Sequence, residues 1–209
     1  MALLTPGADS APRRAASPGA QKRRISTVCY KYQCMLLLAS VMAFGALPGL
    51  PTQNPPPGEY DVKAAFLYNF AKFVEWPDSA FSNSESPLII GVLGEDPFGE
   101  VLDRIVAGKL VQGRPLRIRR WKRIEDSSDC HILFVGESER HSLPDIRRRL
   151  QSVPVLTVGD WNGFTAGGGM VQFHLRQNRV LFEINDRDAK EAGLKISSRL
   201  LVLALRVWE

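Results

Sequence analysis

The side chains between residues 59 and 209 with the widest chemical reach are His131, His141, His174 and Cys130. A zinc site draws its ligands from short repeated spacings of Cys and His, and these four positions do not supply one. No Ser–His–acid arrangement can be read from the order of the residues, because such groups assemble only in space. The sequence therefore predicts no catalytic constellation, no metal site and no cofactor. Gly91-x-x-Gly94, followed by Gly99, has the outline of a phosphate loop. Such loops hold anions on backbone N–H groups at a helix N-terminus, where this chain places Glu95 and Asp96. Those carboxylates repel phosphate, so the segment reads as a tight strand-to-helix turn.

The remaining candidates are groups that could bind. Asn69 falls on the apolar stripe of a first helix, where an unpaired amide costs about 1–3 kcal/mol, and Lys72 lies one turn on. Arg176 and Glu183 sit in a hairpin and could pair across it. Asn185, which follows Phe182-Glu183-Ile184, can cap the last helix. Gly167-Gly168-Gly169 allows close backbone approach and could line a pocket beside Asn162 and Thr165, or simply admit the chain to the hairpin. Arg114, Arg117, Arg119, Arg120, Lys122 and Arg123 could meet an acidic partner, but a strand's wet face has the same composition.

These residues need elements to hold them. Tyr60–Trp76 shows apolar residues three and four apart (Val62, Ala65, Phe66, Phe70, Phe73, Val74), which predicts a helix ended by Pro77. Leu88–Leu93, His131–Val135 and Val153–Val158 are short apolar runs of the kind found in strands covered on both faces. Leu116 and Ile118 alternate with arginines, which predicts a strand near a sheet edge. Helices are expected over Phe98–Ala107 and Ser142–Leu150, and a hairpin over Met170–Leu175 and Arg179–Ile184. A last helix should run from about Asp186 to Trp208 with Ile196, Leu200, Leu203 and Val207 inward. Alternating strands and helices imply right-handed crossovers between parallel strands. The fold class expected is α/β, a three-layer sandwich with a mixed, largely parallel sheet and a C-terminal hairpin plus helix. Its crevice at the carboxyl ends of the strands would lie near Gly94, Gly136 and Gly159.

Residues 1–45 read as an address. Lys22, Arg23, Arg24 and Lys31 precede the apolar run Cys34–Leu47, and Ala43-Phe44-Gly45 offers small residues for cleavage, the pattern of a secretory signal peptide; an uncleaved anchor is the alternative. Residues 46–58 are a Pro-rich linker, and 59–209 form the domain. Six of the 27 basic and one of the 22 acidic residues fall in the tag, which leaves 21 of each sign. A domain neutral overall argues against nucleic acid, whose binding is driven by clustered positive charge. Cys130 alone cannot form an internal disulfide.

The first helix, YDVKAAFLYNFAKFVEWP, together with GGMVQF (168–173), RVLFEIN (179–185) and AGLKISSRLLVLA (192–204), resembles the YfiR family. The order of the strands carrying ILFVGESE (132–139) and LTVGD (156–160) fits as well. The resemblance implies a periplasmic, non-enzymatic regulator that self-associates as a homodimer. It also implies binding to the periplasmic domain of an inner-membrane diguanylate cyclase, which restrains cyclic di-GMP synthesis and biofilm. A sensor histidine kinase is an alternative partner, and a periplasmic small-molecule-binding sensor is the alternative function. The internal disulfides of a well-known member have no counterpart here.

Overall fold

The computed structural model describes residues 58–124 and 129–209, so the expected signal peptide and most of the linker lie outside the described residues. Helix α1 (Glu59–Phe73) opens the domain, with the Gly58 N–H donating to Asp61 Oδ2 at 2.7 Å. It ends three residues before the expected Trp76. Val74 and Glu75 leave the helix to form strand β1, which pairs antiparallel with Lys195–Ile196, and Pro77 bars any return to helix. The buried face of α1 is also rotated from the predicted stripe. It runs through Lys63, Ala64, Leu67, Phe70 and Ala71.

The main sheet has eight strands in the order β10-β8-β7-β6-β5-β2-β4-β3. Its centre is β2 (Leu88–Leu93), β5 (Ile132–Val135) and β6 (Leu156–Gly159), all buried and mutually parallel. Strand β4 (Arg114–Trp121) lies parallel to β2 and carries β3 (Leu110–Val111) antiparallel on its other side. At the opposite end β7 (Val171–Arg176) runs parallel to β6 and antiparallel to β8 (Arg179–Asn185). The β7–β8 turn is only Gln177-Asn178, both with positive φ (48° and 61°), which is the type I′ geometry that matches the twist of two paired strands.

Helices α1 and α2 (Glu100–Val106) cover one face and α3 (Leu143–Arg149) the other. Under α1, Phe66, Phe70, Phe173 and Phe182 pack ring against ring at centroid distances of 5.3–6.1 Å. Under α3 a second core joins Ile89, Leu133, Ile146, Trp161 and Phe164. The α/β three-layer architecture with its mixed, mostly parallel sheet is thus as the sequence predicts.

The C-terminal segment is not. In place of one long helix there are α4 (Asp186–Glu191), β9 (Lys195–Ile196), α5 (Ser198–Leu201) and β10 (Arg206–Trp208). Gly193, at φ +79°, stops α4, since a left-handed residue ends helical propagation. The backbone then finds strand partners: Val74 for Ile196, and Ile184 for Val207. Of the expected stripe only Leu200 is buried, and Leu203 is 65% exposed. The apolar run is therefore largely surface.

Two members of the arginine cluster are held by the fold, while Arg117, Arg119, Lys122 and Arg123 are exposed. Arg120 reaches Asp96 and Asp103, each at 2.6 Å, and those bonds hold its guanidinium firmly protonated. Arg114 donates to the Asn83 and Ser86 carbonyls and lies 3.8 Å over the Phe81 ring. Asp96 also accepts from the Phe98 N–H at 2.8 Å, so the loop after β2 is a braced turn rather than an anion cradle.

Candidate functional site

The chain passes from β2 through α2 to β4 on one side of β2, then returns to β5 on the other. The loops leaving β2 and β5 therefore diverge to opposite faces, and a crevice opens between them at the carboxyl ends of the strands, where ligands bind in open α/β sheets. A cleft of about 340 Å³ occupies that place. Glu95 and Pro97 come from the loop after β2, Gly136, Glu137 and Ser138 from the loop after β5, Asp160 from the end of β6, and Glu59, Tyr60 and Lys63 from the start of α1. The two loops touch. A Cβ on Gly136 would stand 2.7 Å from the Glu95 carbonyl oxygen, closer than a side-chain carbon can approach, so this position requires glycine. The crevice predicted near Gly94, Gly136 and Gly159 is found there.

Its chemical centre was not predicted. Lys63 is a charged residue on the buried face of α1, only 3% exposed. Its Nζ lies 2.5 Å from Glu59 Oε1 and 2.7 Å from Asp160 Oδ2, and 4.3 Å from the centre of the Tyr60 ring. The Tyr60 hydroxyl donates to the same Asp160 oxygen at 3.1 Å. Burial alone would lower the lysine's pKa, but the hydrogen bonds to Asp160 and Glu59 outweigh it and raise the group above its ordinary value. Burial and the neighbouring Asp160 charge raise the Tyr60 hydroxyl as well. Two signals pointed here: a lysine breaking an apolar helical stripe, and an acid directly after the buried strand LTVG.

A second polar cluster lies on β7 and β8. Glu183 is buried, accepts a very short hydrogen bond from Thr165 Oγ1, and has Oε2 3.3 Å from His174 Nε2. Gln172 Oε1 accepts from the Thr165 N–H at 3.3 Å. A cleft beside the cluster is lined by Arg176, Arg206, Leu205 and Trp208.

The five predicted binding residues do not converge. Asn69 is half-buried beside the core face of α1 rather than on it. Lys72 is exposed, its ammonium 5.4 Å over Tyr68 and 5.7 Å over Phe73. Arg176 and Glu183 line one cleft, but the expected pair across the hairpin does not form. The register sets Arg176 opposite Arg179 and Glu183 opposite Gln172, and Glu183 turns to Thr165 and His174 instead. Asn185 caps a helix as predicted, though a short one, its Oδ1 accepting from the Asp188 N–H at 3.1 Å. Of the Gly167–Gly169 loop, Gly169 lies where a Cβ would strike the Phe164 ring at 2.2 Å, which gives that residue a packing role.

Among the described residues no helix is long and apolar enough to cross a membrane, and no group of three or more His, Cys, Asp or Glu could hold a metal ion. The conserved framework of one protein family, described as YfiR/HmsC-like, matches residues 60–205, from the first turn of α1 to the approach to β10. With that match spanning most of its length, the chain belongs to the YfiR/HmsC-like family.

Proposed function

We propose that this chain is an exported, non-enzymatic regulator that binds the periplasmic domain of an inner-membrane signalling protein, a diguanylate cyclase first of all, and holds it inactive. The observation that carries the reading is the family match over residues 60–205. Residues 1–45 then serve as the signal peptide, 46–58 as the linker and 59–209 as the regulatory domain, with a homodimer as the resting form.

The surface at the end of the sheet supports a protein partner. Val202, Leu203, Leu205 and Trp208 are 83%, 65%, 45% and 43% exposed, and Leu175 on the neighbouring hairpin is 50% exposed. Val202, Leu203, Leu205 and Trp208 lie on β10 or in the turn leading into it, and among the described residues β10 is an edge strand paired only to β8; Leu175 lies on the other face of the sheet from Trp208. An apolar surface beside an open strand edge suits docking of another chain. Thermodynamically the regulator acts through its differential affinity for two cyclase conformations. Driving a cyclase from almost wholly active to almost wholly inactive takes roughly a 10⁴-fold preference.

The test is capture of the tagged protein from detergent-solubilised membranes, with mass spectrometry of the enriched proteins and cyclic di-GMP measured in a deletion strain. Enrichment of a membrane cyclase and a rise in cyclic di-GMP are expected. A kinase in its place would redirect the pathway, and neither enrichment nor a change in cyclic di-GMP would end the reading.

A further inference from the structure

Strand β10 ends the main sheet, and among the described residues its outer side pairs with nothing. The alternation of the ladder fixes which backbone groups are left there. The Asn185 N–H donates to the Met170 carbonyl at 2.7 Å, so Glu183 and Asn185 of β8 turn their backbone groups toward β7. Phe182 and Ile184 turn theirs toward β10, and the Phe182 carbonyl accepts from the Leu205 N–H at 2.7 Å. Ile184 lies opposite Val207 in a parallel pair, and in such a pair its groups bond to the neighbours of the opposite residue, here Arg206 and Trp208. The Val207 N–H and C=O therefore point away from β8. An open edge of this kind is a template for another strand.

The residues on that edge complement themselves. Antiparallel pairing about a two-fold axis through Val207 lets Val207 exchange two hydrogen bonds with its own copy. It also sets Arg206 opposite Trp208 of the second copy, twice, at non-hydrogen-bonded positions where side chains come closest. Within one chain the Arg206 guanidinium already lies 4.9 Å from the centre of the Trp208 ring, a cation–π contact that the second copy repeats across the axis. In this register no two like charges face each other, since Leu205 stands opposite Glu209. Three paired residues cover too little surface for a stable dimer, which buries about 1,200–2,000 Å². The exposed Val202, Leu203 and Leu205 beside β10 supply further apolar contact. We infer that β10 pairs antiparallel with β10 of a second copy, joining two eight-stranded sheets into one continuous sheet. The inference rests on the homodimer of the proposed function and names its interface.

Sedimentation equilibrium of the purified chain tests it, with no membrane partner present, so failure to capture a cyclase leaves the result untouched. A reversible monomer–dimer equilibrium with a dissociation constant below roughly 100 μM is expected. Val207→Pro removes the outward N–H while sparing the ladder to β8, a placement that edge strands tolerate, and should weaken dimerisation at least roughly tenfold. Trp208→Lys brings an ammonium against Arg206 of the second copy and should weaken it as much, because directly opposed like charges are destabilising. Trp208→Glu offers the same guanidinium a carboxylate and should keep the dimer. The last two variants alter one exposed position, so their contrast reads the register apart from any effect on folding. A chain still monomeric at roughly millimolar concentration would overturn the inference and leave the edge to a membrane partner. So would a dimer that Trp208→Lys leaves as tight as Trp208→Glu does.

Discussion

Replacing Asp160 by Asn should be costly, because it breaks a nearly buried ion pair. Lys63 and Asp160 have side chains only 4% and 9% exposed, and Glu59, the second partner of the lysine, is 33% exposed. Breaking a buried pair from one side costs about 3–5 kcal/mol, because the remaining charge stays buried. Residual contact with Glu59 puts the expected loss near the lower end, about 3 kcal/mol. For a domain of this size, each kcal/mol moves Tm by roughly 2–4 °C, so the midpoint should fall by roughly 6–12 °C. Lys63→Met should lose a similar amount by stranding Asp160. The double variant Lys63→Met/Asp160→Asn should recover at least about 2 kcal/mol of the summed loss, since neither charge remains. Urea unfolding followed by tryptophan fluorescence at pH 7 measures all four proteins. The raised lysine pKa adds a sign: its stabilisation is present below the ordinary lysine value and is lost as pH climbs through the higher folded value. Losses that simply add, within about 0.5 kcal/mol, would refute the claim that these groups form one buried unit.

Other substitutions probe the frame. Phe70→Ala, at the centre of the four-ring cluster under α1, should destabilise by about 3–5 kcal/mol in the same urea assay. Gly136→Ala forces a methyl group against the Glu95 carbonyl and should cost about 2 kcal/mol or more; a variant of wild-type stability would show that the loops can part freely. Cys130 is buried, and desolvation together with the nearby Asp129 charge pushes its thiol up to about 12. It should resist a thiol reagent at pH 8 in the folded protein and react fully in urea. His131 is held neutral, chiefly by burial, with Nδ1 accepting from the Ile89 N–H at 3.1 Å and Nε2 facing the Ala80 carbonyl at 3.2 Å. Its folded pKa lies below the unfolded one, so stability should drop as pH falls below about 6.5, and His131→Asn should flatten that slope between pH 7.5 and 5.5.

The buried parallel centre of the sheet was legible because runs such as LIIGVL and ILFV admit few other placements, and their order fixed the crossovers. The crevice followed from the glycines closing those strands. What could not be read were features decided at long range. The helical period of Leu200–Val207 is real, but β8 offers that segment a strand edge, and tertiary pairing overrode the local pattern. The stripe of α1 was misplaced because Lys63 counts as polar in any periodicity, yet it is buried once Asp160, distant in sequence, comes to meet it. The imagined Arg176–Glu183 pair failed on register alone: the two-residue turn sets Arg176 against Arg179, and opposition across a sheet depends on that count.

The way the two ends of the domain are stitched together has a consequence for timing. β1, next to the first helix, is completed by β9, and β8 is flanked by β10, the final strand in chain order. The contact between Val74 and Ile196 forms late, because it closes a long loop whose entropy must be overcome first. A growing chain therefore cannot seal its sheet until residues 195–208 have been made. For a protein proposed to cross a membrane as an open strand, that delay keeps the polypeptide threadable until it reaches the compartment where it works.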